Sequence, residues 1–210
     1  MTKKDEILRP DNHTNGRQDT DIVITTQEII RMIKQVGIKF ETLESEACDT
    51  PFSMASGGAS IFGITGGVTE AVLRHLPEDK DHATLENIKY SGIRGKGGFK
   101  EATVSMGDRQ VRIAVVHGLK NASDLLENIK AGKAEYDFAE VMACRRGCIL
   151  GGVQPVPMGP NTRTARMNGI YQADQLSSIR YTDENPFLER VWEDVIKGRE
   201  HELLHRAQTV

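Results

Sequence analysis

The sequence predicts an α/β fold to about residue 155 and an all-helical tail beyond it. Three observations carry this reading. A short apolar run feeds straight into a capped, amphipathic helix near the N-terminus. Two alternating segments flank a Gly-Asp turn in the middle of the chain. After Pro160 the pattern turns wholly helical.

The elements follow in order. The first 20 residues are polar, with Pro10, Asn12, Asn15 and Gly16 marking turns, and no regular element is expected there. Asp21-Ile22-Val23-Ile24-Thr25 reads as a short, largely buried strand. Thr25 or Thr26 can cap the next helix, Gln27 to Val36, because a side-chain oxygen meets a free backbone N–H there. Ile29, Ile30, Ile33 and Val36 share one face of it, and Gly37 ends it. From Cys48 to Gly67 the chain is rich in glycine (57, 58, 63, 66 and 67) around Phe62, so its backbone must turn sharply or approach something closely. Val68 to Leu76 follows as a helix. Glu101–Met106 and Gln110–His117 alternate and form a hairpin through Gly107-Asp108. Asn121 or Ser123 opens a helix to Lys130, and Tyr136–Met142 is a strand that runs into Cys144 and Cys148. In the tail, Asn161–Ile179, Glu184–Lys197 and Glu200–Arg206 read as helices, with Asp183 capping the second and Pro186 in its first turn.

Composition narrows the function classes. A chain of 210 residues, 38% hydrophobic and 27% charged, builds one domain or one domain with a small appendage. Its 27 basic and 30 acidic residues leave a net charge of −3, which removes the electrostatic case for a nucleic-acid binder. No apolar run approaches the roughly 20 residues that span a bilayer. Met1–Glu6 lacks the apolar core of a secretory signal, so a cytoplasmic location is expected. Three cysteines are too few for a disulfide framework. Cys48 is expected to be a structural thiol, and the histidines at 13, 75, 82 and 117 to be solvated or in the core.

Three strings invite a chemical reading. His201-Glu202-Leu203-Leu204-His205 spells the zinc-protease motif, but only five residues follow and none can serve as a third ligand, so a surface helix is expected. Gly92-Ile93-Arg94-Gly95-Lys96-Gly97-Gly98 looks like a phosphate loop, but a P-loop needs Ser or Thr after its lysine and a helix directly behind, and here Phe99 and a strand come next, which leaves a flexible turn. Cys144-Arg145-Arg146-Gly147-Cys148 offers two thiolates at the end of a strand, where α/β sheets place ligands. Gly147, Gly151 and Gly152 let a bulky guest approach, and the arginines can lower thiol pKa. Such a pair is either two structural thiols or half of a zinc or iron–sulfur site; a cubane needs about four cysteines, so either the site is incomplete or its missing ligands belong to other polypeptide.

Phe138-Ala139-Glu140-Val141-Met142-Ala143-Cys144, with Gly147-Cys148 and Gly151-Gly152-Val153-Gln154-Pro155, resembles the third cluster-binding motif of the iron-only ([FeFe]) hydrogenases. Ile61-Phe62-Gly63-Ile64-Thr65-Gly66-Gly67-Val68-Thr69-Glu70-Ala71 is similar to that family's loop beside the active-site cluster, and Asp21–Phe40 to the strand and helix preceding it. The tail, with Glu184-Asn185-Pro186 and His201–His205, resembles the small-subunit segment fused to the large one. Met1–Glu6 looks like the end of the second motif, just past its ligand cysteine.

The resemblance implies a partial catalytic domain, residues 1–155, with a mixed or parallel sheet and flanking helices, then a small-subunit-like helical tail, 156–210. It implies reversible reduction of protons to H2 at an H-cluster, a [4Fe-4S] cubane joined to a diiron subcluster. Carried over by position, Cys144 would ligate the cubane and Cys148 would bridge it to the two irons. Phe62, Gly63, Val68 and Met142 would line the diiron pocket, and Lys3 would hydrogen-bond an iron-bound cyanide. The family's first two cluster cysteines and its proton-relaying cysteine have no counterpart here. The isolated chain is therefore expected to be inactive without the missing N-terminal half or another hydrogenase subunit, with ferredoxin or an NAD(P)H-linked protein as redox partner. Arg145-Arg146 stands where the family usually has Pro-Gly, and Val153 where it has Gly. The alternatives are a hydrogenase-like sensor or iron–sulfur assembly protein, or an inactive gene fragment.

Overall fold

The computed structural model describes residues 2–44, 46, 55–76, 87–88, 92–94, 97–106, 108–156 and 159–204. The chain divides into two units, residues 1–47 with 152–156, and residues 48–151 with 157–210.

In the first unit, helix α1 (Thr2–Glu6) leads into a two-residue hairpin, β1 (His13–Thr14) and β2 (Arg17–Gln18). The expectation of no regular element there is corrected: Asn15 and Gly16 both take positive φ, 53° and 75°, the backbone that a tight two-residue hairpin turn requires. Helix α2 (Thr26–Gln35) starts on Thr25, whose hydroxyl accepts from Glu28 N while Glu28 accepts from Thr25 N, a reciprocal cap. The Lys4 ammonium lies 2.8 Å from Glu28, and its hydrogen bond does most to hold that carboxyl down at about 2. The strand expected over residues 21–25 is absent: among the described residues no neighbour pairs with it, and Ile22 and Ile24 stand exposed. Although α2 is amphipathic, none of its residues is buried. Its start holds residues 152–156, with Gln27 donating from its backbone to Val153 O and from its side chain to Gly152 O and Gln154 O.

The second unit is organised by a mixed three-stranded sheet, ordered β3 (Phe99–Met106), β4 (Arg109–His117), β5 (Phe138–Met142). β3 pairs antiparallel with β4, from Phe99 opposite Val116 to Met106 opposite Arg109. β4 pairs parallel with β5, from Ile113 beside Phe138 to His117 beside Met142. A parallel pair needs a crossover, and helix α5 (Leu119–Lys130) supplies it. β4 is central and buried on both faces. Val111, Ile113 and Val115 join Leu73, Ile88, Ile93 and Val104 on one side, while Ala114 and Val116 meet Leu125 of α5 on the other. α5 starts on Gly118 (φ 85°) rather than at Asn121 or Ser123, because the chain must reverse sharply at the strand end.

The glycine-rich stretch folds into helix α3 (Gly57–Ser60), a 3-10 turn (Ile61–Gly63) and helix α4 (Gly67–Leu73), shorter than the helix expected to Leu76. In the tail, α6 (Thr162–Leu176) is followed by α7 (Pro186–Val191), which widens into a π turn (Trp192–Ile196), and by α8 (Glu200–Leu204). Asn185, not Asp183, caps α7; its side chain accepts from Phe187 N and Leu188 N. The tail is fixed to the glycine-rich stretch by backbone bonds, Gly57 N to Ile179 O (2.8 Å) and Gly58 N to Arg180 O (3.2 Å). Any side chain at Gly57 would overlap Asp174 of α6.

Candidate functional site

β5 ends at Met142, whose carbonyl accepts from Gly118 N (2.8 Å), so the C-terminal ends of β4 and β5 open side by side. The chain then makes a tight turn, closed by Gly147 N donating to Cys144 O. Arg146 and Gly147 take positive φ in succession, 69° and 84°. A second turn, Cys148–Leu150, is closed by Gly151 N donating to Cys148 O. Both thiols, Cys144 and Cys148, are exposed and free. The tail also supports the turn, since Arg166 Nη1 donates to Ile149 O at 2.7 Å.

The glycine between the cysteines explains what faces them. A Cβ built on Gly147 would stand 2.8 Å from Gly63 O and 3.0 Å from Thr65 N, so two backbones touch where no side chain fits. Gly63 is thereby brought against the cysteine turn. Phe62, beside it, is about half exposed, and Val68 and Met142 are half-buried. The backbone of Lys3 belongs to α1 of the first unit; its side chain lies outside the described residues, as do Cys48 and His82. Among the described residues no three His, Cys, Asp or Glu side chains gather as a metal cage.

Charged residues that the sequence reading passed over set this geometry. Glu140, two residues before Met142, is buried, and its carboxylate accepts from Gly66 N (2.7 Å), Thr69 N (2.8 Å) and Thr69 Oγ1 (2.9 Å). It ties the start of α4 to the strand that carries the cysteines. Lys100 on β3 is also buried and donates to Thr65 O, Thr65 Oγ1 and Ile93 O. The one available signal was an acid within β5 and a lysine within β3, each in an otherwise strand-like run.

Burial pushes the Lys100 ammonium down to about 8, against the pull of the Glu140 charge and with help from Arg163. Between about 8 and the ordinary 10.5 the unfolded chain keeps a lysine proton that the folded chain has released. The unfolded state binds more protons over that window, so stability contributed at this site rises with pH through it. Urea midpoints taken at the two ends of the window should show the gain in the native chain and lose it in Lys100→Met.

A family model described as the iron only hydrogenase large subunit, C-terminal domain, matches residues 1–152. The chain belongs to the iron-only hydrogenase family. A second model, the iron hydrogenase small subunit, matches residues 160–207 of this hydrogenase-family chain. It is 40% identical over 210 residues to the NADP-reducing hydrogenase subunit HndD of Solidesulfovibrio fructosivorans, covering 98% of this chain and 36% of that protein. With iron hydrogenase 1 of Clostridium pasteurianum it shares 36% identity, over 97% of this chain and 37% of the relative. It is also 30% identical to the cytosolic iron-sulfur assembly component 3 of Rattus norvegicus, over 97% of this chain and 44% of the other. Among solved structures, an [FeFe]-hydrogenase variant from Chlamydomonas reinhardtii superposes with a TM-score of 0.74 at 28% identity, covering all of this chain and 61% of the other. The chain thus spans under two fifths of the length of these two hydrogenases. Its α/β fold with a mixed sheet is that of the family's C-terminal domain. Among the described residues no helix is long and apolar enough to cross a membrane.

Proposed function

We propose that this chain is the C-terminal part of an [FeFe]-hydrogenase catalytic subunit, residues 1–155, joined to a small-subunit segment, residues 156–210, and that it works in the cytoplasm. The observation that carries the reading is the exposed pair Cys144 and Cys148 on a turn whose central glycine packs against Gly63. The donor chemistry fits an iron–sulfur group. Two soft thiols leave one turn on the same backbone, and bare glycine backbone lies between them. A cubane takes about four cysteines, so a second polypeptide segment supplies the others.

When bound, the H-cluster supplies the reversible reduction of protons to H2. In this reading Cys144 and Cys148 would be the thiolates that hold it, Cys144 for the cubane and Cys148 for both parts of the cluster. Phe62, Val68 and Met142 give an apolar wall that excludes water, and the Gly63 backbone allows close approach. Lys3 would donate a hydrogen bond to a ligand of that group. Electrons come from a ferredoxin or an NAD(P)H-linked partner. A non-catalytic iron–sulfur assembly role is the second reading, favoured by the 30% identity to an assembly component along nearly the whole chain.

The test is anaerobic co-expression with a polypeptide carrying the family's first two cluster cysteines, followed by an iron count, EPR and hydrogen evolution from reduced viologen. The chain alone should evolve no hydrogen, and the pair should. Cys144→Ala and Cys148→Ala should each remove activity and lower bound iron. A stable cluster without turnover selects the assembly reading. Full iron content in both cysteine variants overturns both.

A further inference from the structure

Beside the cysteine turn, at the C-terminal ends of β4 and β5, lies a pocket of about 350 Å³ that the proposed chemistry does not use. Its lining includes His117, Gly118, Lys120, Asn121, Arg145 and Arg146, and none of the described residues lining it is an acid. We propose that this pocket is a binding site for a phosphoryl group, free or carried on a small molecule.

Three observations converge on that ligand chemistry. His117 is only 6% exposed, yet among the described residues neither ring nitrogen meets a hydrogen-bond partner in good geometry, with only the backbone of Gly97 and of His117 itself close enough to favour its protonated form. A buried polar group left in that state is costly, and a ligand acceptor would relieve it. Burial, then the nearby Arg163 and Lys100 charges, keep the imidazole below its usual pKa, so near neutrality the ring offers one N–H donor.

Helix α5, 12 residues long, begins at this pocket on Gly118 with no side-chain cap. The N–H groups of Leu119, Lys120 and Asn121 therefore lack acceptors within the helix and, with the helix dipole, favour an anion. Asn121 does not cap them, because its side-chain amide donates to Gly98 O (3.1 Å) and His117 O (2.8 Å) and so holds the strand end in place.

Cationic side chains close the open side. Arg145 lies over the helix start, its Cγ 3.3 Å from where a Cβ on Gly118 would be. Arg145, Arg146 and Lys120 are exposed, and none of them forms an ion pair among the described residues. Guanidinium groups, backbone N–H donors and an imidazole facing one space supply enough donors for the three or four oxygens of a phosphoryl group.

The experiment uses the full chain labelled with nitrogen-15. It is titrated with inorganic phosphate, with a phosphomonoester such as adenosine monophosphate, and with chloride at matched ionic strength. Phosphate, the monoester or both should give saturable shifts at the amides of Leu119, Lys120 and Asn121 and at the His117 ring. Phosphate alone would identify free phosphate as occupant; tighter binding of the monoester would identify a phosphorylated molecule. The double variant Arg145→Gln, Arg146→Gly, whose glycine suits the positive φ at that position, should bind at least about tenfold more weakly. Its unchanged thermal midpoint would show that the fold survives. Equal shifts with chloride, shifts that do not saturate, or unchanged affinity in the double variant would each overturn the proposal.

Discussion

Asp174→Ala is expected to lower stability by about 3–5 kcal/mol, the cost of leaving buried charge without its partner. Asp174 and Arg74 are both 1% exposed, and they meet in a paired contact, Nη1 to Oδ1 at 2.7 Å and Nη2 to Oδ2 at 2.8 Å. Arg74 Nη2 also donates to Glu70 Oε1 at 2.6 Å, and Arg94 holds the other side of Glu70, its Nε 2.7 Å from Oε2. Arg180 adds a contact to Asp174 at 3.2 Å. Three guanidinium groups thus share two carboxylates. Burial alone would push the Asp174 carboxyl up, but hydrogen bonds and charge from Arg74, with Arg180, hold it below the usual range. Deleting it leaves buried Arg74 to share Glu70 with Arg94 and takes from Arg180 its carboxylate contact.

The effect should be local as well as global. Asp174 sits on α6, and Arg74 and Glu70 on α4, so the network joins the tail to the helix that follows the glycine-rich stretch. Hydrogen exchange at the Gly57 and Gly58 amides, which bond Ile179 O and Arg180 O, should quicken more in Asp174→Ala than at the β4 core. Asp174→Asn keeps the shape and should lose less. Removing the exposed Arg199–Glu202 pair on the tail surface should stay within about 0.5 kcal/mol. A urea midpoint for Asp174→Ala equal to that of the exposed-pair variant would refute the argument.

These differences also separate what was legible in the sequence from what was not. β3, β4, α5 and β5 came from alternation and helical spacing because each has a neighbour within the same unit that buries its apolar face. The segment at residues 21–25 had the same apolar signature and, among the described residues, no strand beside it, so it stayed extended with Ile22 and Ile24 exposed. Periodicity in α2 reports an apolar face, but whether that face is covered depends on other surfaces, and here no residue of it is buried. The Cys144–Cys148 spacing was legible because the chemistry is local. The buried charges were not. A sequence window treats Glu70, Arg74, Lys100, Glu140 and Asp174 as solvated, while their partners lie up to 100 residues away. His117 passed as an ordinary core or surface histidine for the same reason: its lack of partners in good geometry among the described residues is a fact of three dimensions.

Glu140→Gln should cost about 2–3 kcal/mol, though the two side chains have nearly the same shape. The carboxylate receives three donors and gives none: Gly66 N reaches Oε1, and Thr69 N with Thr69 Oγ1 reach Oε2. An amide must turn its NH2 toward one of those sets. With NH2 toward Gly66, two donors face each other in a buried space; with NH2 toward Thr69, only the hydroxyl can reorient to accept. Either way a buried N–H loses its acceptor, and the negative charge beside the positive end of α4 is gone. A second consequence identifies the cause. Glu140 charge supports protonation of Lys100, so its loss should drive the Lys100 ammonium still further down and start the rise of stability with pH earlier. Glu140→Ala, which removes the acceptor for all three donors, should lose more stability than Glu140→Gln. The checks are urea midpoints across pH and exchange rates of the Gly66 and Thr69 amides. Because Glu140 lies on the strand that delivers Met142 and the cysteine turn, slackening there frees the Gly63–Thr65 backbone from Gly147 without touching either thiol. Iron uptake in the co-expressed pair should therefore fall in Glu140→Gln while both cysteines remain reactive to a thiol reagent. Unchanged stability and unchanged exchange at Gly66 would show that the carboxylate does not hold the loop.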